Sequence, residues 1–263
     1  MSSPSAYRAD LAGLPAGEWA GYLAEHSGLP GPRANLTLAQ AVADTADERM
    51  LHTLSESTDE YEALCGTIGL GRLLAEAPAE HSPQLARRLA DLATDDRWRV
   101  REGVALALQR LGDADRPAFW ALLTNWSGEW HTAAPPSADG LLRARAVAAA
   151  AAEPRLVKQH ADALGALRLL DGCTALLLSV PAESRRADAR LAEAVRVLRQ
   201  TLGYAFSVVG VAAPAETFSA LERLASSNDR DARRIVRDNL TKTRLTKADP
   251  TRASALSARL AIS

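Results

Sequence analysis

Three acidic residues, Asp44, Asp47 and Glu48, stand close together, and Arg49 follows them directly. On one helix, spacings of three and four put Asp44 on the same face as Asp47 and Glu48, so that two carboxylates converge on one substrate atom. Such a pair in a groove would hold an ammonium group, or take its proton and turn an amine into a nucleophile. The same residues also make an ordinary solvated helix end. Asp59, Glu60 and Glu62 form a similar acidic group, and acids in a first turn face the positive end of the helix dipole.

A second set of candidates comes from a motif used twice. Asp95-Asp96-Arg97-Trp98-Arg99-Val100-Arg101-Glu102-Gly103-Val104 returns as Asp231-Ala232-Arg233-Arg234-Ile235-Val236-Arg237-Asp238-Asn239-Leu240. Aligned without gaps, Arg97 matches Arg233, Arg101 matches Arg237 and Glu102 matches Asp238. Arg101 and Arg237 each follow a valine expected to be buried, so they either form a ladder with acids of the adjoining repeat or line a face open to ligands. In the second case planar guanidinium groups hold a sulfate, phosphate or carboxylate bidentately, with Arg99, Arg155, Arg234 and Arg244 contributing. Trp98 offers a stacking surface to a ring or a cation, or fills a gap between helices. Trp120, Trp126 and Trp130 gather around one segment as a candidate aromatic rim.

Other signatures are missing. Gly66-Thr67-Ile68-Gly69-Leu70-Gly71 follows a helical pattern and lacks the Lys-Ser/Thr pair of a phosphate-cradling loop, so close helix packing explains its glycines better. The five histidines show no His-Glu-x-x-His or similar spacing and no cysteine pair accompanies them, so neither a metal nor a cofactor is expected. A Gly-x-Ser-x-Gly nucleophile elbow is absent too.

Helices must position these residues, since β-branched residues are sparse and period-two alternation never persists. The fold class expected is all-α. Residues 1–26 read as a helical lead-in to a single domain over 27–263, separated from it by Gly28-Leu29-Pro30-Gly31-Pro32. A helix restarts after Asn35, a good N-cap, and another opens at Asp59. Helices over about 82–93 and from Asp95 to Gly112 form the clearest hairpin, with Val100, Val104, Leu108 and Leu111 on one buried face. Residues 126–140 read as an irregular inserted loop. An alanine-rich helix over 141–152 follows, then helices over 157–180, 185–204, 215–226 and from Asp229 or Asp231.

The chain has 263 residues and a formal net charge of −1, so nothing global argues for a polyanionic partner. No apolar run approaches the ~20 residues of a membrane span, and the first residues do not form a signal peptide, so a cytoplasmic location is expected. Cys65 and Cys173 lie far apart in apolar helical contexts and read as reduced, buried thiols.

Recurring motifs in a helical chain mark a stack of helical hairpins, and the two copies are spaced to admit about three units of roughly 45 residues. Here the chain resembles the HEAT-like repeat proteins of bacteria, and an actinobacterial family in particular. The segments that carry the resemblance are Ser27–Leu36, Trp98–Glu102, Ala152–Leu156 and Arg237–Leu245. It implies a HEAT-like helical-hairpin solenoid with a concave groove. The function expected is a binding scaffold that engages a protein partner through that groove, with Trp98, Arg99, Arg101, Arg155, Arg237 and Arg244 in contact. An alternative is a small-molecule enzyme or enzyme subunit in a bacterial natural-product pathway, in which arginines bind an anionic group and Asp44, Asp47 or Glu48 activates an amine. A third is DNA binding or alkylated-base excision, since the architecture is also similar to the HEAT-like alkylpurine DNA glycosylases.

Overall fold

A computed structural model describes residues 3–128, 136–186 and 188–262. Its regular elements are helical throughout, with no strand among the described residues. The chain divides into two compact units, Met1–Phe119 and Trp120–Ser263.

The first unit contains α1 (Pro4–Gly13), α2 (Trp19–His26), α3 (Leu36–Thr45), α4 (Glu48–Ser55), α5 (Glu60–Glu76), α6 (Ser82–Leu92) and α7 (Trp98–Ala114). Helix α8 (Arg116–Gly128) contains the boundary between the units. Helix α5 is the hub, touching α2, α3, α4, α6 and α7. The lead-in is packed rather than loose, because Tyr7 and Leu11 of α1 and Trp19 and Leu23 of α2 are buried. Asn35 caps α3 by accepting from the Leu38 amide, and its own amide donates to the Tyr7 hydroxyl and the His26 carbonyl. Asp59 caps α5 by accepting from the amides of Tyr61 and Glu62, two of the donors a helix start leaves over.

The second unit contains α9 (Ala138–Ala151), α10 (His160–Ser179), α11 (Ala189–Val209), α12 (Pro214–Ala225), α13 (Arg230–Leu240), α14 (Thr243–Ala248) and α15 (Pro250–Ile262). Helix α11 plays the part of α5, packed against α9, α10, α12, α13 and α14. The alanines of α9 are small enough to let neighbours close in, and Ala144, Ala146, Ala148, Ala150 and Ala151 are buried.

Several boundaries differ from expectation. Helix α7 starts at Trp98, with Arg97 in the cap position, and runs through the buried Gly112 to Ala114. Asp95 lies before the helix, in a tight turn where it accepts from the Arg97 amide. The expected loop over 126–140 is trimmed at both ends, since 126–128 belong to α8 and 138–140 to α9; its centre, 129–135, lies outside the described residues.

The glycines of α5 are packing residues. A Cβ at Gly66 would fall 2.1 Å from the Ser55 amide nitrogen of α4, and one at Gly71 would fall 2.3 Å from the Ala107 carbonyl oxygen of α7. Both clashes are with backbone, which cannot rotate away. Gly71→Ala is expected to destabilise the protein by about 1–3 kcal/mol or more through overpacking. Gly172→Ala in α10, where a Cβ meets nothing within 4 Å, is expected to stabilise it by about 0.5–1 kcal/mol. Urea unfolding of the two variants checks both signs.

Candidate functional site

Two places collect the residues that the sequence singles out, one in each unit. In the first unit, a cleft of about 430 Å³ is lined by Ser27, Leu29 and Pro30 of the loop before α3, by Asp59, Glu60 and Tyr61 at the start of α5, and by Arg99 of α7. Arg99 donates from Nη1 to Glu60 at 2.7 Å and from Nη2 to the Gly31 carbonyl at 3.4 Å, while its buried Nε has no hydrogen-bond partner. The guanidinium sits 4.5 Å from the centroid of the Trp98 ring, and Trp98 is 48% exposed. A cation over an indole face is stabilised by the ring quadrupole and holds the ring in one orientation. An apolar ring held in place at the surface beside an ion pair is a candidate contact point.

The acidic set does not converge as its spacing suggests. The chain turns at Ala46, so Asp44 ends α3 while Asp47 caps α4 by accepting from the Met50 amide. Asp44, Asp47 and Glu48 therefore share no helix and no helix face. Asp44 accepts from Arg8 of α1 at 2.9 Å and from Arg110 of α7 on its other oxygen, and Arg110 also reaches Gln40. Glu48 is exposed, 3.9 Å from His52.

The two copies of the motif do not stand at equivalent positions on their helices. Arg101 donates to the carbonyls of Asp95, six residues back, and Asp96; Arg233 donates to the carbonyl of Ser227, also six residues back. Counted from the first residues of α7 and α13, Arg101 is the equivalent of Arg233, and Val104, rather than Val100, is the equivalent of Val236. The sequence match is displaced by one helical turn, about four residues. Arg101 is consequently buried, at 6% exposure, whereas Arg237 stands exposed on α13. Arg101 is thus held by the turn that precedes its own helix.

In the second unit, Arg155 is bound to Glu153 at 2.8 Å. Arg237 and Arg244 are exposed, and no side-chain partner meets either among the described residues. The aromatic rim does not form as expected: Trp126 is buried, and the Trp120 indole donates to Asp162 at 2.8 Å. Trp130 lies outside the described residues. Sequence reasoning missed Arg185, whose nearly buried guanidinium donates to Asp229 and Asp231 and to the Val180 carbonyl. Nothing near it in sequence marks the partners.

Set beside models of known families, curated proteins and solved structures, the chain matches none of them. The site must therefore be read from its own chemistry. Both cysteines are free and buried, and burial pushes their thiols up, away from thiolate chemistry. Among the described residues, no group of three His, Cys, Asp or Glu could hold a metal ion, and no helix is long and apolar enough to cross a membrane.

The Arg185 hydrogen bond holds the Asp229 carboxyl below the usual aspartate range, against the opposing effect of burial. Its charged form is favoured in the folded state, so it contributes stability above an ordinary aspartate pKa of about 3.9, lost as pH falls through the lower folded value. Asp229 also accepts from the amides of Asp231 and Ala232 as the N-cap of α13. Asp229→Asn is expected to cost about 3 kcal/mol at pH 7, as when one partner of a buried pair is removed. It should also flatten the fall in stability below about pH 4. Urea unfolding across pH measures both.

Proposed function

We propose that the chain is a HEAT-like helical-repeat scaffold that binds a protein partner, working in the cytoplasm. The architectural part of the reading rests on how the helices alternate. In the first unit α3, α5 and α7 pack in succession with α4 and α6 beside them, and in the second α9, α11 and α13 pack in succession with α10 and α12 beside them. Arg110 of α7 reaches Gln40 and Asp44 of α3, tying together two helices that both pack on α5. Repeat stacks of this kind present extended concave binding surfaces.

The observation that carries the functional part is Trp98, exposed and braced by Arg99, which itself lines the cleft. Tryptophan and arginine are the residue types that dominate binding energy at protein interfaces, and a pre-ordered ring loses little entropy on docking. Arg237 and Arg244 supply charge for the partner in the second unit. Arg101 and Arg155 drop out of the contact set, because the first is bound to its own turn and the second to Glu153.

Trp98→Ala tests the reading. With the ring outside the core, the variant should unfold at the same urea concentration as wild type. Capture of a stoichiometric partner from the native host by the tagged protein should fall by about thirtyfold or more, the loss of a hot-spot side chain worth ~2 kcal/mol. Capture of no stoichiometric protein by wild type, or undiminished capture by Trp98→Ala, would contradict it.

A further inference from the structure

The near-zero net charge conceals a segregation. Of the 31 basic and 32 acidic residues of the chain, Arg230, Arg233, Arg234, Arg237, Lys242, Arg244 and Lys247 fall in the short stretch 230–247, against only Asp231 and Asp238. Two of the three lysines of the chain are among them. The rest of the chain carries more acids than bases.

On α13 the charges are sorted by face. Arg230, Arg234 and Arg237 are spaced by four and three, which stacks them in one row, and all three are exposed. The opposite side of the helix is buried through Ala232, Ile235, Val236 and Asn239. Both acids turn toward α11. Asp231 accepts from Arg199 at 2.9 Å and from Arg185 at 2.7 Å. Asp238 packs on Gly203, where an added Cβ would lie 3.0 Å from its own. Arg230 and Arg237 have no side-chain partner among the described residues, and Arg234 has only Asp238 at 3.6 Å, an exposed pair that water screens. Exposed Arg244, also unpartnered, extends the basic surface onto α14.

A row of like charges one helical turn apart lies within a Debye length and is self-repelling, so it costs the folded protein stability unless an anion covers it. We infer that the outer face of α13 is a docking surface for an acidic helix of a protein partner, whose carboxylates at i, i+4 and i+7 meet Arg230, Arg234 and Arg237. The inference rests on the scaffold reading above and gives that partner a chemistry. Carboxylates fit guanidinium groups bidentately, and two helices can match the same spacing of about 5–6 Å. Duplex DNA is the poorer occupant. Tight phosphate binding draws on about 6–10 contacts, and this short row is set in a chain otherwise rich in acids.

The test uses the full chain and three probes, read by fluorescence anisotropy: a blocked alanine-based helical peptide with glutamate at i, i+4 and i+7, the same peptide with glutamine, and a short DNA duplex. The glutamate peptide should bind at least about tenfold more tightly than the other two, as expected of complementary charge. Combined Arg230→Gln, Arg234→Gln and Arg237→Gln should abolish that preference while melting no lower than wild type. The three lysine substitutions should restore it only in part, since lysine keeps the charge without the bidentate fork. Tighter binding of the duplex, or an unchanged preference in the glutamine variant, overturns the inference. A host partner held equally well by the glutamine variant and lost in Trp98→Ala would sink this surface and leave the scaffold reading standing.

Discussion

The fold depends on one recurring interaction: an arginine side chain donating to backbone carbonyls left over where one helix ends and the next begins. A helix leaves its last carbonyls without intrahelical partners, and a tight turn inside a packed structure cannot hand all of them to water. Arg72 of α5 donates to the carbonyls of Ala43 and Ala46 at the α3–α4 turn. Arg97 does the same for Ser57 and Thr58 at the α4–α5 turn, Arg101 for Asp95 and Asp96 at the α6–α7 turn, and Arg233 for Ser227 at the α12–α13 turn. Arg72 uses two guanidinium nitrogens on its two carbonyls, and Arg97 holds Asp95 with the nitrogens its carbonyls leave over. The guanidinium group offers five donors and lysine only a compact ammonium, which gives the near-absence of lysine a structural consequence whatever its origin in composition.

Once the turns are held, the helices approach to distances that only small residues permit. The Gly66 and Gly71 contacts of α5 put backbone where a side chain would otherwise stand, against α4, which arginine ties hold at both ends, and α7, which one holds at its start. The second unit reaches the same end with different means. There the buried amide of Asn239 bridges α13 to α11, donating to the Leu202 carbonyl and accepting from the Ser207 amide. Arg185 secures the end of α10 through Val180 and the start of α13 through Asp229.

Much of the helical framework was legible in the sequence, because caps and breakers are local. Asn35 and Asp59 act as expected, and the α5 glycines are packing residues as their helical setting suggests. Registers across space were not legible. The two copies of the motif align by identity one turn away from where they align by position, because arginine and valine recur along both helices and a four-residue slip preserves the buried face. The convergence of Asp44, Asp47 and Glu48 failed for a different reason. Asp47 is a strong N-cap residue, and its capping of α4 ends the helix that would have joined them. The cleft beside Arg99 was half visible, in that arginine, but the wall formed by Ser27, Leu29 and Pro30 comes from a distant segment that no spacing connects to it.

Some arginines of this chain tie turns, others pair with carboxylates, and a few are left over at the surface; the proposed binding role falls on the last group together with the Trp98–Arg99 pair. The equivalence of Arg101 with Arg233, and not with Arg237, is the central claim. Urea unfolding of Arg101→Ala, Arg233→Ala and Arg237→Ala measured side by side tests it most directly. The account predicts that the first two each lose about 1–3 kcal/mol, with the buried Arg101 the larger, as carbonyls lose a charged donor, and that Arg237→Ala stays within about 0.5 kcal/mol of wild type. A loss at Arg237 equal to that at Arg101, with Arg233 unaffected, would contradict it.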